Sequence, residues 1–295
     1  MSILLFGAGG QVGRELCETL ASLGCVHALT RSEVDLTDVD ALRRTIRARQ
    51  PDVIVNAAAY TAVDRAEEEP AEAEAVNAIA PSVMAEEAER LQALMVHFST
   101  DYVFDGCASR PYRETDLPRP LSVYGHTKQA GEEAVTSQNP RHLVLRTGWV
   151  VGAHGRNFVK TILRLAAERD ELRVVNDQRG APTSATLLAA VTSQLVNAWR
   201  SNARGEFPYG LYHVAARGET TWFDLARWMV GYAQDHGASL CVARERVVPV
   251  SSEEYPVLAT RPSYSVLDTS RIQQTFGITP PAWDAEVEKS MDRLL

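Results

Sequence analysis

The segment "ILLFGAGGQVGREL", residues 3–16, is the part of the sequence most informative about the fold. Four apolar residues lead into Gly7, Gly10 and Gly13, which are spaced three apart, and a helical pattern starts at about Gln11. A strand, a glycine-rich turn and a helix in this order are typical of the first βαβ unit of a dinucleotide-binding domain. Glycines let the backbone approach a pyrophosphate, which the N–H groups and the positive end of the helix then bind. A plain glycine-rich turn is the alternative.

The alternation of strand and helix continues through the first half of the chain. Apolar runs suited to strands are "VHAL" (26–29), "DVIVNAA" (52–58), "LMVHFST" (94–100) and "HLVLR" (142–146). Helical patterns over 38–49, over 71–91 and from Tyr124 separate them. Runs such as "ILLF" and "DVIV" are apolar on both faces, as in strands that helices cover on both sides. We therefore expect an α/β protein with a Rossmann-type doubly wound parallel sheet.

The pattern becomes less regular after Trp149. Short helices and strands alternate there with proline-containing loops, including "NDQRGAPT", "HVAARGETTW" and "VLATRPSYSV". We predict a nucleotide-binding domain over residues 1–148. Residues 149–295 are predicted to form mainly a smaller α/β lobe that binds substrate, with some later segments returning to the first domain.

Composition excludes several classes of protein. The 295 residues carry a formal net charge of −8, which disfavours a nucleic-acid partner because phosphate binding needs clustered Lys and Arg. Four cysteines are scattered without metal-ligand spacing: Cys17, Cys25, Cys107 and Cys241. No uninterrupted apolar run of about 18 residues predicts a membrane span, and no basic segment precedes the first apolar run. The expectation is a cytoplasmic protein with no membrane or nucleic-acid partner.

The end of the second predicted strand bears on the choice of cofactor. Arg31 at this edge suits a ribose 2′-phosphate, so NADP(H) is favoured over NAD(H). Glu33 competes for the same place and leaves NADH use open. Asp35 and Leu36 are positioned to bracket the adenine, although Asp38 is more simply the N-cap of the next helix.

Two further stretches end at the same edge of the predicted sheet. "NAAAY", residues 56–60, closes a strand with small side chains, which leave room for a cofactor. Ser99, Thr100 and Asp101 follow the fourth strand directly. Polar groups and open space are therefore expected together, although Asp101 could equally cap a turn.

"VYGHTKQAGEEAV", residues 123–135, places Tyr124 four positions before Lys128 on one helical face. A free tyrosine has a pKa of about 10, and a nearby ammonium and an oxidised nicotinamide both favour its phenolate. Such a pair can act as an acid catalyst with its tuning group. A surface pair one turn apart is the alternative that the motif alone leaves open.

These motifs, in this order, resemble the extended short-chain dehydrogenase/reductase superfamily. Within it the chain is similar to the dTDP-4-dehydrorhamnose reductases, and the resemblance runs from the N-terminus to about residue 270. The stretches that carry it are "GAGGQVGREL", "QPDVIVNAAAYTAVDRAEEEP", "STDYVFDG", "VYGHTKQAGE", "NDQRGAPT" and "TRPSYSVLDT".

The resemblance implies that NADPH reduces the 4-keto group of a dTDP-sugar, dTDP-4-dehydro-L-rhamnose. Tyr124 would donate the proton and Lys128 would support it while binding the nicotinamide ribose. Thr100 would hydrogen-bond the substrate near C4, with Asp101 beside it. The remaining cofactor contacts would come from Gly10, Gln11 and Val12 at the pyrophosphate and from Ala57, Ala58 and Ala59 at the nicotinamide.

Three later residues are assigned to the substrate by the same resemblance. Trp149 would touch the sugar nucleotide, and Gln178 and Arg261 lie in loops of the substrate lobe. Packing between lobes is the alternative for Trp149, and an exposed loop position is the alternative for Arg261.

Some members of the family are linked to Mg²⁺ through acidic side chains at a dimer contact. Glu15 matches one such position, whereas Thr186 stands where a second carboxylate would help. The metal is therefore doubtful, and a homodimer is one expectation for the assembly.

Two rival functions stay open. One is another sugar-nucleotide 4-ketoreductase or epimerase of the same superfamily. The other is a non-catalytic NADP-binding regulatory subunit, like the β subunit of methionine adenosyltransferase. A regulator need not retain the proton donor and the lysine, and this chain has both.

Overall fold

The computed structural model describes residues 1–202 and 207–295. The strands are β1 (Ser2–Phe6), β2 (Cys25–Leu29), β3 (Val53–Asn56), β4 (Leu94–Thr100), β5 (His142–Thr147), β6 (Val150–Val151), β7 (Leu172–Val175), β8 (Arg179–Gly180), β9 (Thr183–Ser184), β10 (Gly210–His213), β11 (Thr220–Thr221) and β12 (Val247–Val250). The helices are α1 (Gln11–Leu20), α2 (Val39–Arg49), α3 (Val63–Glu68), α4 (Pro70–Glu74), α5 (Ala80–Leu91), α6 (Val123–Gln138), α7 (Phe158–Glu168), α8 (Ala185–Ser201), α9 (Trp222–Asp235), α10 (Ser270–Phe276) and α11 (Trp283–Asp292).

The central sheet has six strands in the order β10-β5-β4-β3-β1-β2, and every neighbouring pair is parallel. The chain moves outward from β1 to β2 and then returns to the other side of β1 with β3. This reversal creates a switch point between β1 and β3, where open α/β sheets bind ligands at the carboxyl ends of the strands. The predicted α/β fold class is confirmed.

Apolar cores cover both faces of this sheet. On one face the strands pack against α1 and α8, with Leu16 and Leu195 fully buried. On the other they pack against α2, α5 and α6, with Leu42, Met84 and Val135 fully buried. Burial on both faces explains why the strand sequences are continuously apolar.

A third apolar cluster lies in the later part of the chain. It joins α7, α9 and α11 to the parallel pair β7 and β12, with Val159, Met229 and Val287 at its centre. The chain also returns to the first sheet, since β10 extends it beyond β5 and α8 packs on α1. Within the described ranges, no helix combines the length and the apolar character needed to cross a membrane.

Candidate active site

A cleft of about 890 Å³ opens at the carboxyl ends of the central strands. Its walls come from the glycine turn, the ends of β2, β3 and β4, the first turns of α6, and a tryptophan pair beside β6 and α9. Most of the residues singled out in the sequence line it: Gly7, Gly10, Gln11, Val12, Arg31, Asp35, Leu36, Ala57, Ala58, Ala59, Thr100, Asp101, Tyr124, Lys128 and Trp149.

The glycine turn brings three backbone segments into close contact. Gly7 has φ +83°, and a Cβ there would lie 2.5 Å from the backbone nitrogen of Ala58. A Cβ at Gly13 would lie 2.0 Å from the Gly7 carbonyl oxygen, so α1 can pack this closely only with glycine at position 13. Gly10 is the N-cap of α1 and has no side chain to occupy the first N–H groups of the helix. These donors and the helix dipole are suited to an anion. Gly13 itself lies below the turn and outside the residues that line the cleft.

The end of β2 carries one cation and one local cap. Arg31 is about 75% exposed and its Nη2 lies 3.0 Å from Oε1 of Glu72. Glu33 turns back on its own loop, where its Oε2 accepts hydrogen bonds from the backbone N–H and the hydroxyl of Thr30 at 2.8 and 2.9 Å. These bonds hold the pKa of Glu33 below its usual value. Arg31 is therefore the freer group for a cofactor.

Helix α6 presents Tyr124 and Lys128 to the cleft. Ser122 caps the helix, since its hydroxyl oxygen accepts from the backbone N–H of Gly125 at 3.2 Å, which fixes the turn that carries Tyr124. Lys128 is 1% exposed, and its Nζ donates to the Phe98 carbonyl oxygen at 2.6 Å. Burial lowers the pKa of Lys128 to about 8, with Glu132 acting in the opposite direction.

The Tyr124 phenol stays neutral in the structure. Burial raises its pKa to about 12, a hydrogen bond with Thr100 opposes this, and the charge of Asp101 adds to it. The sequence predicted that Lys128 would lower the pKa of Tyr124. Burial has the larger effect, and Lys128 directs its hydrogen bond to the Phe98 carbonyl instead. A neutral phenol is the form that can donate a proton.

Thr100 and Asp101 lie together beneath Tyr124. The Thr100 hydroxyl donates to Oδ1 of Asp101 at 3.1 Å, and its oxygen accepts from the backbone N–H of Tyr102. Burial raises the pKa of Asp101 to about 6, against hydrogen bonds from Ser265 and Thr100. Asp101 is therefore a buried acid that titrates near neutral pH.

Two tryptophans form the wall beside β6. Trp149 has φ +48° and stacks on Trp222 with ring centroids 3.4 Å apart and an interplanar angle of 4°. Both rings line the cleft while also packing on the core of α7 and α9. Trp149 therefore packs on the core, as one alternative predicted, and its ring also borders the cleft. Trp222 was not predicted, because nothing in "ETTW" indicates that a helix starting there faces Trp149.

The two remaining substrate candidates lie outside the cleft lining. The Arg261 Nη2 donates to Oδ2 of Asp64 at 2.7 Å, and Arg261 also lies beside Tyr102, which does line the cleft. Gln178 is buried and its Nε2 donates to the Ser252 hydroxyl at 2.9 Å. The structure thus brings Arg261 to the rim, whereas Gln178 is buried and does not line the cleft.

Glu15 does not fit a magnesium site. Its carboxylate is buried and accepts from Arg293 Nη1 at 2.7 Å and from the Thr186 hydroxyl at 3.2 Å. A guanidinium and a hydroxyl thus occupy the positions where further oxygen ligands would be needed. Across residues 1–202 and 207–295, no group of three or more His, Cys, Asp and Glu side chains is arranged to hold a metal ion.

Several cleft residues were not predicted from the sequence. Tyr102 packs edge-on against Tyr124 with ring centroids 5.8 Å apart. Arg65 adds a cation on the α3 side, where it pairs with Glu69 at 2.7 Å. The "TAVDRAEEEP" segment after "NAAAY" held the signal for Arg65, since it follows directly on the edge already assigned to the cofactor.

Comparison with known proteins agrees with this geometry. The family model described as "RmlD substrate binding domain" matches residues 1–295. The dTDP-4-dehydrorhamnose reductase of Burkholderia thailandensis is 46% identical over 96% of this chain and 95% of that protein.

Solved structures point to the same relatives. A dTDP-4-dehydrorhamnose reductase from Clostridium acetobutylicum superposes with a TM-score of 0.91 at 37% identity, covering 100% of this chain and 99% of the other. A dTDP-4-dehydrorhamnose reductase from Bacillus anthracis, in complex with NADP, superposes with a TM-score of 0.90 at 33% identity, covering 99% and 98% of the two chains. The family resemblance inferred from the sequence motifs is confirmed. The chain therefore belongs to the dTDP-4-dehydrorhamnose reductase (RmlD) family.

Proposed function

We propose that the protein is an NADPH-dependent oxidoreductase that reduces the 4-keto group of dTDP-4-dehydro-L-rhamnose to dTDP-L-rhamnose, the last step of dTDP-rhamnose biosynthesis. One observation carries the proposal. The chain matches proteins named dTDP-4-dehydrorhamnose reductase along nearly its whole length. Its fold brings Tyr124, Lys128 and Thr100 into the same cleft as the glycine turn.

The cleft has the features that a dinucleotide needs. The uncapped start of α1 at Gly10, Gln11 and Val12 suits the pyrophosphate. Arg31 suits the 2′-phosphate of NADPH, and Asp35 and Leu36 border the adenine end. The small side chains of Ala57, Ala58 and Ala59 leave space for the nicotinamide half. When bound there, NADPH supplies a hydride to the carbonyl carbon of the substrate.

The protein's own residues manage the charge on the substrate oxygen. Tyr124 is held neutral by burial and donates its proton to the oxygen as negative charge develops. The hydroxyl of Thr100 lies beside that phenol and orients the same oxygen. Lys128 is anchored to the Phe98 carbonyl within the cleft, where it can bind the nicotinamide ribose and place positive charge near Tyr124.

Further assignments follow from the same proposal. Trp149, supported by Trp222, forms a flat wall for the sugar nucleotide, and Arg261 supplies a cation at the rim. For Gln178 the support is weaker, because it bonds to Ser252 and does not line the cleft. We retain the division into residues 1–148 and 149–295, with β10 counted in the central sheet.

Two statements about the protein's setting are also proposals. All four cysteines are unpaired, which fits a reducing, cytoplasmic compartment. A homodimer remains the expected assembly. The arrangement of Glu15 supports no role for Mg²⁺ in the reaction.

The rival functions predict different behaviour. An epimerase would keep its dinucleotide bound and show no net oxidation of NADPH. A regulatory subunit would bind the dinucleotide and leave the ketosugar unchanged. Mixing the purified protein with NADPH and freshly prepared dTDP-4-dehydro-L-rhamnose, then identifying the product, separates all three.

Replacement of Tyr124 by Phe tests the mechanism. General acid catalysis of this kind contributes about two to four powers of ten, so Tyr124→Phe should lower kcat by about that factor and leave NADPH affinity nearly unchanged. The matched control is Tyr232→Phe, which removes an exposed hydroxyl bonded to Asp292, and neither residue lines the cleft. Wild-type turnover in Tyr124→Phe would show that this phenol is not the proton donor.

A further inference from the structure

A buried polar chain lies directly behind Lys128. The Nδ2 of Asn56 lies 3.1 Å from Nδ1 of His97, and Nε2 of His97 lies 3.4 Å from Nζ of Lys128. Asn56 and His97 are paired across β3 and β4, and both are fully buried. No role for His97 follows from the reaction described above, yet it is the side chain that faces Lys128 from the sheet.

The hydrogen bonds of Asn56 determine which nitrogen of His97 carries the proton. The backbone N–H of Ala58 donates to Oδ1 of Asn56 at 3.1 Å, so Oδ1 is the acceptor end of the amide. The NH₂ end, which can only donate, then faces His97, and Nδ1 must accept. Burial and the neighbouring Lys128 keep the pKa of His97 well below its usual value, so the ring is neutral. A neutral ring that accepts at Nδ1 carries its hydrogen on Nε2.

This tautomer directs an N–H group at the amine of Lys128. An ammonium has three donors and no acceptor, so it cannot bond to the Nε2–H of His97. A neutral amine can accept from that group and still donate to the Phe98 carbonyl oxygen. The ring thus disfavours the charged form of Lys128 and directs its hydrogens towards Phe98 and the cleft.

We propose that His97 is a positioning residue that acts through Lys128: Asn56 fixes its ring as the Nε2–H form, and this form sets both the orientation and the ionisation of the lysine. Its relevance to catalysis rests on the proposed function, since Lys128 belongs to the reductase site. The arrangement of the three side chains stands independently of it.

Other charged groups around Lys128 act in known directions. Glu132, one turn further along α6, favours the ammonium, but it is also bound to Arg146 of β5 at 2.6 Å. Asp101 and Tyr124 line the cleft with Lys128 from β4 and α6. None of these groups contacts the ring of His97, so replacing His97 leaves them in place.

The chain permits a direct measurement, because it contains only three lysines, Lys128, Lys160 and Lys289. In protein labelled at lysine Cε, NMR titration gives the ionisation midpoint of each, and Lys128→Arg identifies the Lys128 signal. We expect His97→Gln to raise the Lys128 midpoint by about 0.5–1 pH unit, because the amide can turn its oxygen towards the ammonium. The matched control is His142→Gln, which replaces another buried strand histidine, bonded to the Asn139 carbonyl. It should leave the midpoint unchanged.

The tautomer is tested in the wild-type protein. With ¹⁵N-labelled histidine and sequential assignment, the shifts of His97 should show hydrogen on Nε2. Hydrogen on Nδ1 would overturn the proposal, and this measurement holds even if His97→Gln does not fold. An unchanged Lys128 midpoint in folded His97→Gln would also overturn it.

The same variants separate this proposal from the proposed function. In His97→Gln the alkaline limb of the pH profile of kcat/KM should move upward by the amount that the Lys128 midpoint moves. His142→Gln should keep the wild-type limb even if its stability falls. If the wild type, His97→Gln and His142→Gln all lack reductase activity, the proposed function is wrong. The proposal about His97 would still stand or fall on the two NMR measurements, because neither needs turnover.

Discussion

Arg31 is the residue on which we expect the choice between the two cofactors to depend. It lies just after β2 and is largely exposed, and its guanidinium pairs with Glu72. Arg31→Ala should shift the ratio of kcat/KM for NADPH over NADH towards NADH by about tenfold, since one charge-assisted contact to the 2′-phosphate is lost. Steady-state kinetics with both cofactors measure this ratio.

The control for that change is Glu72→Gln. It removes the charge that holds Arg31 and leaves the guanidinium free, so the preference for NADPH should be kept or increased. A ratio that stays at the wild-type value in Arg31→Ala would assign cofactor choice to another residue.

Asp101 makes stability depend on pH. Burial raises the pKa of its carboxyl in the folded state from the ordinary value of 3.8 to about 6, so folding favours the protonated form. The stability that this gives is full below pH 4 and is lost as pH rises through about 6. Asp101→Asn keeps a neutral group at this position. At pH 8 its free energy of unfolding should therefore exceed that of the wild type by on the order of 2–3 kcal/mol, and at pH 4 the two should be nearly equal. Urea unfolding at both pH values tests this, and an equal difference at the two would contradict it.

Single residues show what a sequence can reveal about a site. Tyr124, Lys128 and Thr100 could be found because their spacing and their position after a strand point to one sheet edge. His97 could not, because in "LMVHFST" it is a single polar residue between apolar neighbours, before Ser99 and Thr100 at the strand end. Its partners come from β3 and α6, 41 and 31 residues away. Tertiary neighbours of this kind leave no local pattern.

At the scale of elements, the start of α6 determines where Tyr124 lies. The Ser122 cap and a hydrogen bond from Val123 N–H to Glu67 hold the first turn of this helix. Ser122→Ala should lower the free energy of unfolding by about 1 kcal/mol and also reduce kcat, because the turn that carries Tyr124 loosens. Ser122→Asp restores a hydrogen-bond acceptor, so it should recover most of the lost stability and most of the lost kcat.

The comparison for this helix is Asp38→Ala, which removes the cap of α2, where Asp38 accepts from Ala41 N–H at 2.9 Å. Asp38→Ala should lower the free energy of unfolding by about as much as Ser122→Ala does, but it should leave kcat unchanged. Equal effects of the two cap removals on kcat would show that the Ser122 cap has no special effect on the position of Tyr124.

The predicted helix over 71–91 shows where sequence reasoning about elements ends. The structure contains α4, then a π-helical segment over Ala75–Ile79, then α5. Pro81 has no backbone N–H, so it cannot donate to the carbonyl of Asn77 as an α-helix requires. That carbonyl instead lies against α6, where a Cβ at Gly131 would come within 2.1 Å. Periodicity predicted the helical region, whereas the wider turn depends on packing against α6.

For the whole molecule, the strand alternation predicted the parallel sheet but not its full width. The last strand, β10, is only "GLYH" and reaches the sheet from far along the chain. It pairs with β5, where Gly210 lies beside Leu143. These two residues are 67 positions apart in the sequence, so no local pattern could indicate the pairing. The two-residue strands β6, β8, β9 and β11 are too short for any alternation to be visible.

Asp64 connects the two parts of the molecule at the rim of the cleft. It lies on α3, and its carboxylate accepts from Ala259 N–H at 3.2 Å and from Arg261 at 2.7 Å, across 195 and 197 residues of chain. The bonded loop carries the exposed apolar residues Tyr255 and Leu258. Because Arg261 also lies beside Tyr102, Asp64 holds a rim cation close to the ring that packs against Tyr124.

Asp64→Asn should therefore impair binding of the sugar nucleotide more than binding of NADPH. The pair is partly exposed, so its loss is worth at most about 1 kcal/mol, or roughly fivefold in KM for the ketosugar. The control is Glu168→Gln, which removes the exposed partner of Arg164 on α7, and neither of these two residues lines the cleft. Initial-rate kinetics with each substrate varied in turn separate the two constants. An increase in the KM for NADPH alone would mean that Asp64 serves the cofactor side of the cleft. Equal increases would mean that the loop closes over both ligands together.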